Sequence, residues 1–133
     1  GDEPEAEGAL SGGSQRSDSA AAKQLNKGKE EYQEGKYEAA VKTWGLSLKS
    51  VKYIFDKDVY KKKEDIADLQ AIEVKLCVNM AQGYLKLSDW SNAVKYCDQA
   101  LGRDADNTKA LYRKASALMQ LLSFEEAAAV LEQ

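Results

Sequence analysis

The sequence predicts an all-α fold made of repeated antiparallel helix pairs, and three observations carry that reading. From Ala20 onward the 133-residue chain contains no proline, its single Pro4 lying in the front segment. Over the same stretch, apolar residues recur at the period of an amphipathic helix. The chain also matches itself at fixed offsets, as a repeat architecture does.

The front segment, 1–19, reads GDEPEAEGALSGGSQRSDS. It is expected to be an acidic, Gly/Ser-rich disordered tail or linker, because Leu10 is its only large apolar side chain and cannot offset the entropy of ordering it. A solvated linker is the simpler expectation, and an acidic tail that binds a partner is the alternative. The segment lacks the basic and apolar regions of a signal peptide, and no apolar run in the chain approaches a membrane span. The chain opens on Gly1 rather than Met, as an excised fragment would, and a cytoplasmic or nuclear setting is expected.

Residues 20–133 form the predicted repeat domain. Sliding the chain by 34 aligns Lys75 with Lys109, Asn79 with Arg113, Ala81 with Ala115, Trp90 with Phe124 and Ala93 with Ala127. Sliding it by 53 aligns Gly28 with Ala81, Tyr37 with Trp90, Ala40 with Ala93 and Leu48 with Leu101. The excess of 19 residues in the second offset places an insertion between the first and second copies. The expected units are repeat 1 over about 20–56 with an insertion at 57–70, repeat 2 over about 71–107, and a truncated repeat 3 over about 108–133. Each copy reads as two helices joined by a tight turn, at Glu34-Gly35-Lys36, Leu87-Ser88-Asp89 and Leu122-Ser123. Small residues sit where paired helices must approach, and Tyr37, Trp90 and Phe124 are expected to cover the hairpin ends. Between the first two copies, Val51, Ile54 and Phe55 extend the second helix, Asp56 to Asp65 reads as a charged loop, Asp65 to Leu76 leads into the first helix of repeat 2, and the basic run Lys57 to Lys63 is a solvated surface or an acidic-partner site. The chain ends inside the expected second helix of repeat 3, so the stripe Ala127, Val130, Leu131 is expected to fray or self-associate.

Composition excludes several functions. The chain has no His, removing the commonest general base and metal ligand. Its two cysteines, Cys77 and Cys97, are too few for a disulfide scaffold or a four-ligand zinc site and read as buried free thiols. No cofactor is expected, since Gly28-Lys29 lacks the lead-in of a phosphate loop. The net charge of −3 divides into −4 for residues 1–22 and +1 for the rest, a balance unlike that of a nucleic-acid binder. Trp44, Trp90, Tyr96 and Tyr112 are expected to serve packing rather than base stacking. No carboxylate pairs with a nucleophile or base in a catalytic spacing.

A 34-residue period with this small/large alternation resembles the tetratricopeptide repeat, TPR, over roughly 20–133. The resemblance implies a right-handed superhelix of antiparallel helix pairs. One departure is Ala105, where the family usually has proline. A long first repeat followed by two standard ones is similar to the TPR domain of large FKBP-type and cyclophilin-type immunophilins, which are co-chaperone prolyl isomerases. The stretches Glu34-Gly35-Lys36-Tyr37, Ala93-Val94-Lys95-Tyr96-Cys97-Asp98-Gln99-Ala100-Leu101 and Asp106-Asn107-Thr108-Lys109-Ala110-Leu111-Tyr112-Arg113-Lys114 carry that likeness.

In such an array the first helices of successive repeats line a concave groove. Lys75, Asn79, Gln82 and Lys86 share one helix face, and Lys109, Arg113, Ser116 and Gln120 share another. The repeat offset sets the two stripes side by side. Cations flanked by an amide suit capture of a carboxylate. The resemblance implies a dicarboxylate clamp for the Glu-Glu-Val-Asp tail of heat-shock protein 90, with heat-shock protein 70 as the other candidate. Asn79 would hold the terminal carboxylate, Lys109 the Asp side chain, and Arg113 nearby backbone or acidic groups. The first repeat departs from the family: Leu25 stands where Lys is usual and Lys29 where Asn is common. The peptide-binding set is therefore Lys29, Asn79, Gln82, Lys86, Lys109 and Arg113. The fragment itself is expected to be no enzyme, with any isomerase domain upstream. The alternative is a general TPR scaffold that packs a partner helix and ignores chain termini, which exposure of Leu25, Val78 and Leu85 would favour.

Overall fold

A computed structural model describes residues 3–5, 15–57 and 63–131, and among these it is all-helical. Five helices follow in order: α1 (Gln15–Gln33), α2 (Tyr37–Lys57), α3 (Lys63–Lys86), α4 (Trp90–Arg103) and α5 (Thr108–Leu131). Each packs on its neighbours in sequence, and α3 also touches α1 and α5. Side-chain bonds fix the directions. Glu73, at the middle of α3, meets Arg103 at the end of α4, while Tyr84, near the end of α3, stacks on the earlier Tyr96 of α4, so those two helices run antiparallel. Gln82 reaches Tyr32 and Arg113 reaches Val78, so α1, α3 and α5 run side by side in one layer.

The α1–α2 and α3–α4 connections are tight because the backbone turns left-handed after each helix. Gly35 has φ +80° and Ser88 has φ +58°. The following amides close back on the helix, Lys36 N–H to the Glu31 carbonyl at 2.8 Å and Asp89 N–H to the Tyr84 carbonyl at 2.9 Å. This is the Schellman closure, which satisfies orphan carbonyls at a helix end. Asp89 then caps α4 by accepting from Asn92 N–H at 3.3 Å, and Asn107 caps α5 by accepting from Ala110 N–H at 2.9 Å.

The core runs along the helix pairs. Leu25, Trp44, Leu69, Ile72, Leu76 and Val78 are all at most 2% exposed. Trp44 Nε1 donates to the Leu25 carbonyl at 3.3 Å, which satisfies the indole in the interior. Gly28 permits this contact, since a Cβ there would lie 2.1 Å from Trp44 Nε1. Buried Glu73 accepts from Arg103 Nε at 2.8 Å and from Gln99 Nε2 at 3.2 Å, and the Arg103 guanidinium lies 5.0 Å from the Phe55 ring centroid. This cluster ties α3 to α4 and to the end of α2.

Several expectations change. Helix α1 begins at Gln15, inside the segment expected to be a disordered tail. The charged loop expected over 56–65 is shorter at both ends, since 56–57 belong to α2 and 63–65 to α3, whose buried face already includes Asp68, Leu69 and Ile72 ahead of Leu76. The centre of the basic run, 58–62, lies outside the described residues. The turn expected at Leu122-Ser123 is absent, and α5 runs through it. Ser123 Oγ donates to the Met119 carbonyl at 3.0 Å, a within-helix bond that breaks nothing. Phe124 is accordingly 61% exposed and covers no hairpin end, and Tyr112, expected to pack, is 63% exposed. Of the stripe expected to fray, Ala127 is exposed, and the side chains of 130–131 lie outside the described residues.

Candidate functional site

The site lies where α3 and α5 run side by side. Asn79, in the C-terminal third of α3, is fully buried; Arg113, in the second turn of α5, is also fully buried. Lys109 lies one turn before Arg113, in the first turn of α5, where the positive helix end favours an anion. Arg113 Nη1 donates to the Val78 carbonyl at 3.0 Å, so part of the guanidinium holds the two helices together.

Across these residues lies the chain's own front segment. The Glu5 N–H donates to Asn79 Oδ1 at 2.6 Å, and Asn79 Nδ2 donates to the Glu5 carbonyl at 2.8 Å. Lys109 Nζ reaches Glu5 Oε1 at 2.9 Å. Arg113 Nη2 donates to the Glu3 carbonyl at 3.3 Å. Pro4 between them is buried. The segment expected to be a solvated linker therefore packs into the groove through Glu3 to Glu5. Beside Glu5 opens a cavity of about 340 Å³, walled by Ala71, Val74 and Val78 and edged by Lys75, Arg103 and Asn107.

The chemistry of this arrangement is capture of an extended acidic strand. A buried amide pairs with both main-chain groups of one residue, as a neighbouring β-strand would. An ammonium meets its side-chain carboxylate, and a guanidinium meets a carbonyl two residues earlier. The ion pair itself is weak: both side chains are 36% exposed, and such pairs contribute up to about 1 kcal/mol. Orientation comes from the buried Asn79 and Arg113.

The other expected site residues lie apart from this cluster. Gln82 is buried, and its Nε2 donates to Tyr32 Oη at 3.1 Å, joining α3 to α1. Lys86 is exposed at the end of α3 and pairs with no described residue. Lys29 is half-buried on α1 and likewise has no bond to a described residue. Leu25, one turn before it, belongs to the core rather than to the groove. Two features escaped the sequence reading. One is Glu3 to Glu5, whose contacts depend on tertiary geometry; the repeated acid around Pro4 was its only sequence trace. The other is the wall of Ala71 and Val74, which lies in the stretch read as leading into the first helix of repeat 2 and given no binding role.

The remaining chemistry-bearing groups are quiet. Cys77 and Cys97 are buried free thiols. Burial, with Glu73 nearby, pushes Cys77 up to about 12, and burial pushes Cys97 up to about 11 against the opposing pull of Arg113. Thiols held protonated in this way are poor nucleophiles. Among the described residues no cluster of His, Cys, Asp or Glu could hold a metal ion, and no helix is long and apolar enough to cross a membrane. No protein-family model matches the chain.

Proposed function

We propose that this chain is a protein-interaction module whose α3–α5 groove binds an extended acidic peptide. In this reading it is a TPR-type co-chaperone domain that takes the Glu-Glu-Val-Asp tail of heat-shock protein 90. The observation that carries the reading is the convergence of Asn79, Lys109 and Arg113 on the backbone and carboxylate of an acidic segment. Those side chains recognise what an acidic tail offers: main-chain groups at fixed spacing and a carboxylate between them. The cavity beside Glu5 has room for an apolar neighbour of the acidic residues. The resemblance to large immunophilins adds prolyl isomerisation as an activity of a separate domain of a longer chain. Of the three residues whose exposure would favour the scaffold alternative, Leu25 and Val78 are each 1% exposed and Leu85 is half-buried.

Fluorescence anisotropy with a labelled Met-Glu-Glu-Val-Asp peptide tests the reading. Lys109→Ala and Asn79→Ala should each weaken binding by about tenfold or more, the loss of a charge-assisted or buried hydrogen bond. Lys86→Ala, outside the cluster, should change it little. Equal losses for all three substitutions, or none, would remove the groove as the binding site.

A further inference from the structure

We propose that Glu3-Pro4-Glu5 is a built-in occupant of the α3–α5 groove, a stretch of the chain that competes in cis with acidic peptides for Asn79, Lys109 and Arg113. The inference rests on the reading of that groove as an acidic-peptide site and adds what fills it when no partner is present.

The contacts are those of a ligand. Both main-chain polar groups of Glu5 pair with one fully buried amide, at 2.6 and 2.8 Å. Its carboxylate meets Lys109 Nζ at 2.9 Å, and the Glu3 carbonyl accepts from fully buried Arg113. All four bonds use interior atoms of the segment, so this mode of recognition reads backbone and side-chain charge and needs no chain terminus. Pro4 suits the role. Its fixed φ keeps the stretch extended and lowers the entropy lost on docking, and its missing N–H leaves no donor to satisfy where it is buried. Charge is complementary, since residues 1–22 carry −4 and the remainder +1.

The tether makes weak contacts sufficient. Nine residues separate Glu5 from the start of α1 at Gln15. A segment joined to its site through a short tether acts at an effective concentration on the order of millimolar. An intrinsic affinity of roughly 0.1–1 mM then fills half or more of the grooves and weakens an incoming peptide by about two- to tenfold. The occupant is thus a threshold: partners of higher affinity displace it, and weak acidic segments do not.

The test replaces the occupant in the full chain with Glu3→Gly/Pro4→Ser/Glu5→Gly, positions outside the helical core, so the fold is retained. Two readings are taken at physiological ionic strength: the NMR resonance of the Asn79 side-chain amide, and the Kd of the labelled Met-Glu-Glu-Val-Asp peptide. The proposal expects the Asn79 resonance to move and Kd to tighten by about two- to tenfold. Adding the free peptide Gly-Asp-Glu-Pro-Glu-Ala-Glu to the triple variant should return the resonance toward its original position. An unmoved Asn79 resonance overturns the proposal, whatever the affinity. A moved resonance with unchanged affinity overturns the competition. A moved and restored resonance, with no binding of Met-Glu-Glu-Val-Asp by either chain, supports the occupancy and removes the reading of the groove as a receptor for that tail.

Discussion

Asn79 and Cys77 lie within one turn of α3, and both are fully buried, yet they meet opposite fates. Asn79 keeps its polar groups in use through the main chain of Glu5. Cys77 keeps its proton, because burial raises the thiol from about 9 to about 12. That shift has a consequence for stability. An unfolded chain ionises the thiol near 9, while the folded chain holds the proton to about 12. Between those values the unfolded state binds fewer protons, so stability falls as pH rises, by up to about 1.4 kcal/mol per pH unit for each such thiol. Below the unfolded value the effect vanishes. Urea unfolding at pH 8 and pH 10 should therefore show a larger alkaline loss for the wild-type chain than for Cys77→Ala. Parallel losses would mean that Cys77 is hydrated in the folded state.

At the scale of elements, the three expected turns separate by the residue at one position. The first two use Gly35 and Ser88 at positive φ; the repeat offset puts Leu122 at the third. A branched aliphatic residue pays about 1–2 kcal/mol in the left-handed conformation. Helix formers fill the surrounding stretch, so α5 continues instead. Its buried stripe is narrow, Ala110, Arg113 and Ala117, while Leu122 and Phe124 are 57% and 61% exposed. Leu122→Ser and Phe124→Ser should each alter unfolding free energy by no more than about 0.5 kcal/mol, as exposed substitutions do. A loss of about 3 kcal/mol or more for Phe124→Ser would show it packed in a core, as in a chain folded back at Ser123. These elements also show what sequence can and cannot reveal. The helices and the first two turns are written locally, in period and in turn residues. The approach to α3 is written too, in the spacing of Leu69, Ile72 and Leu76, and only its first turn, Lys63 to Asp65, reads as loop because its charged residues carry no apolar period. The failure of the third turn needed the sum of small opposing costs, which a repeat offset does not weigh.

At the scale of the molecule, the site was legible only where it follows the repeat. Asn79, Lys109 and Arg113 share a face because helical spacing and the 34-residue offset place them there. Gln82 shares that spacing but turns to Tyr32, and Lys29 sits one turn from a core leucine; neither outcome is encoded in spacing alone. The partner of the cluster, Glu3 to Glu5, lies 74 residues from Asn79 in the chain, beyond any local pattern. Net charge hides this division as well: an acidic front segment and a nearly neutral helical body sum to −3. The central claim is that this body is a receptor for acidic peptides, and isothermal calorimetry of Met-Glu-Glu-Val-Asp against the intact chain tests it most directly. The account predicts saturable heat at one site per chain, lost when the peptide's acidic residues are replaced by their amides. Absence of heat at millimolar peptide, or equal heat from the amide-substituted peptide, would contradict it.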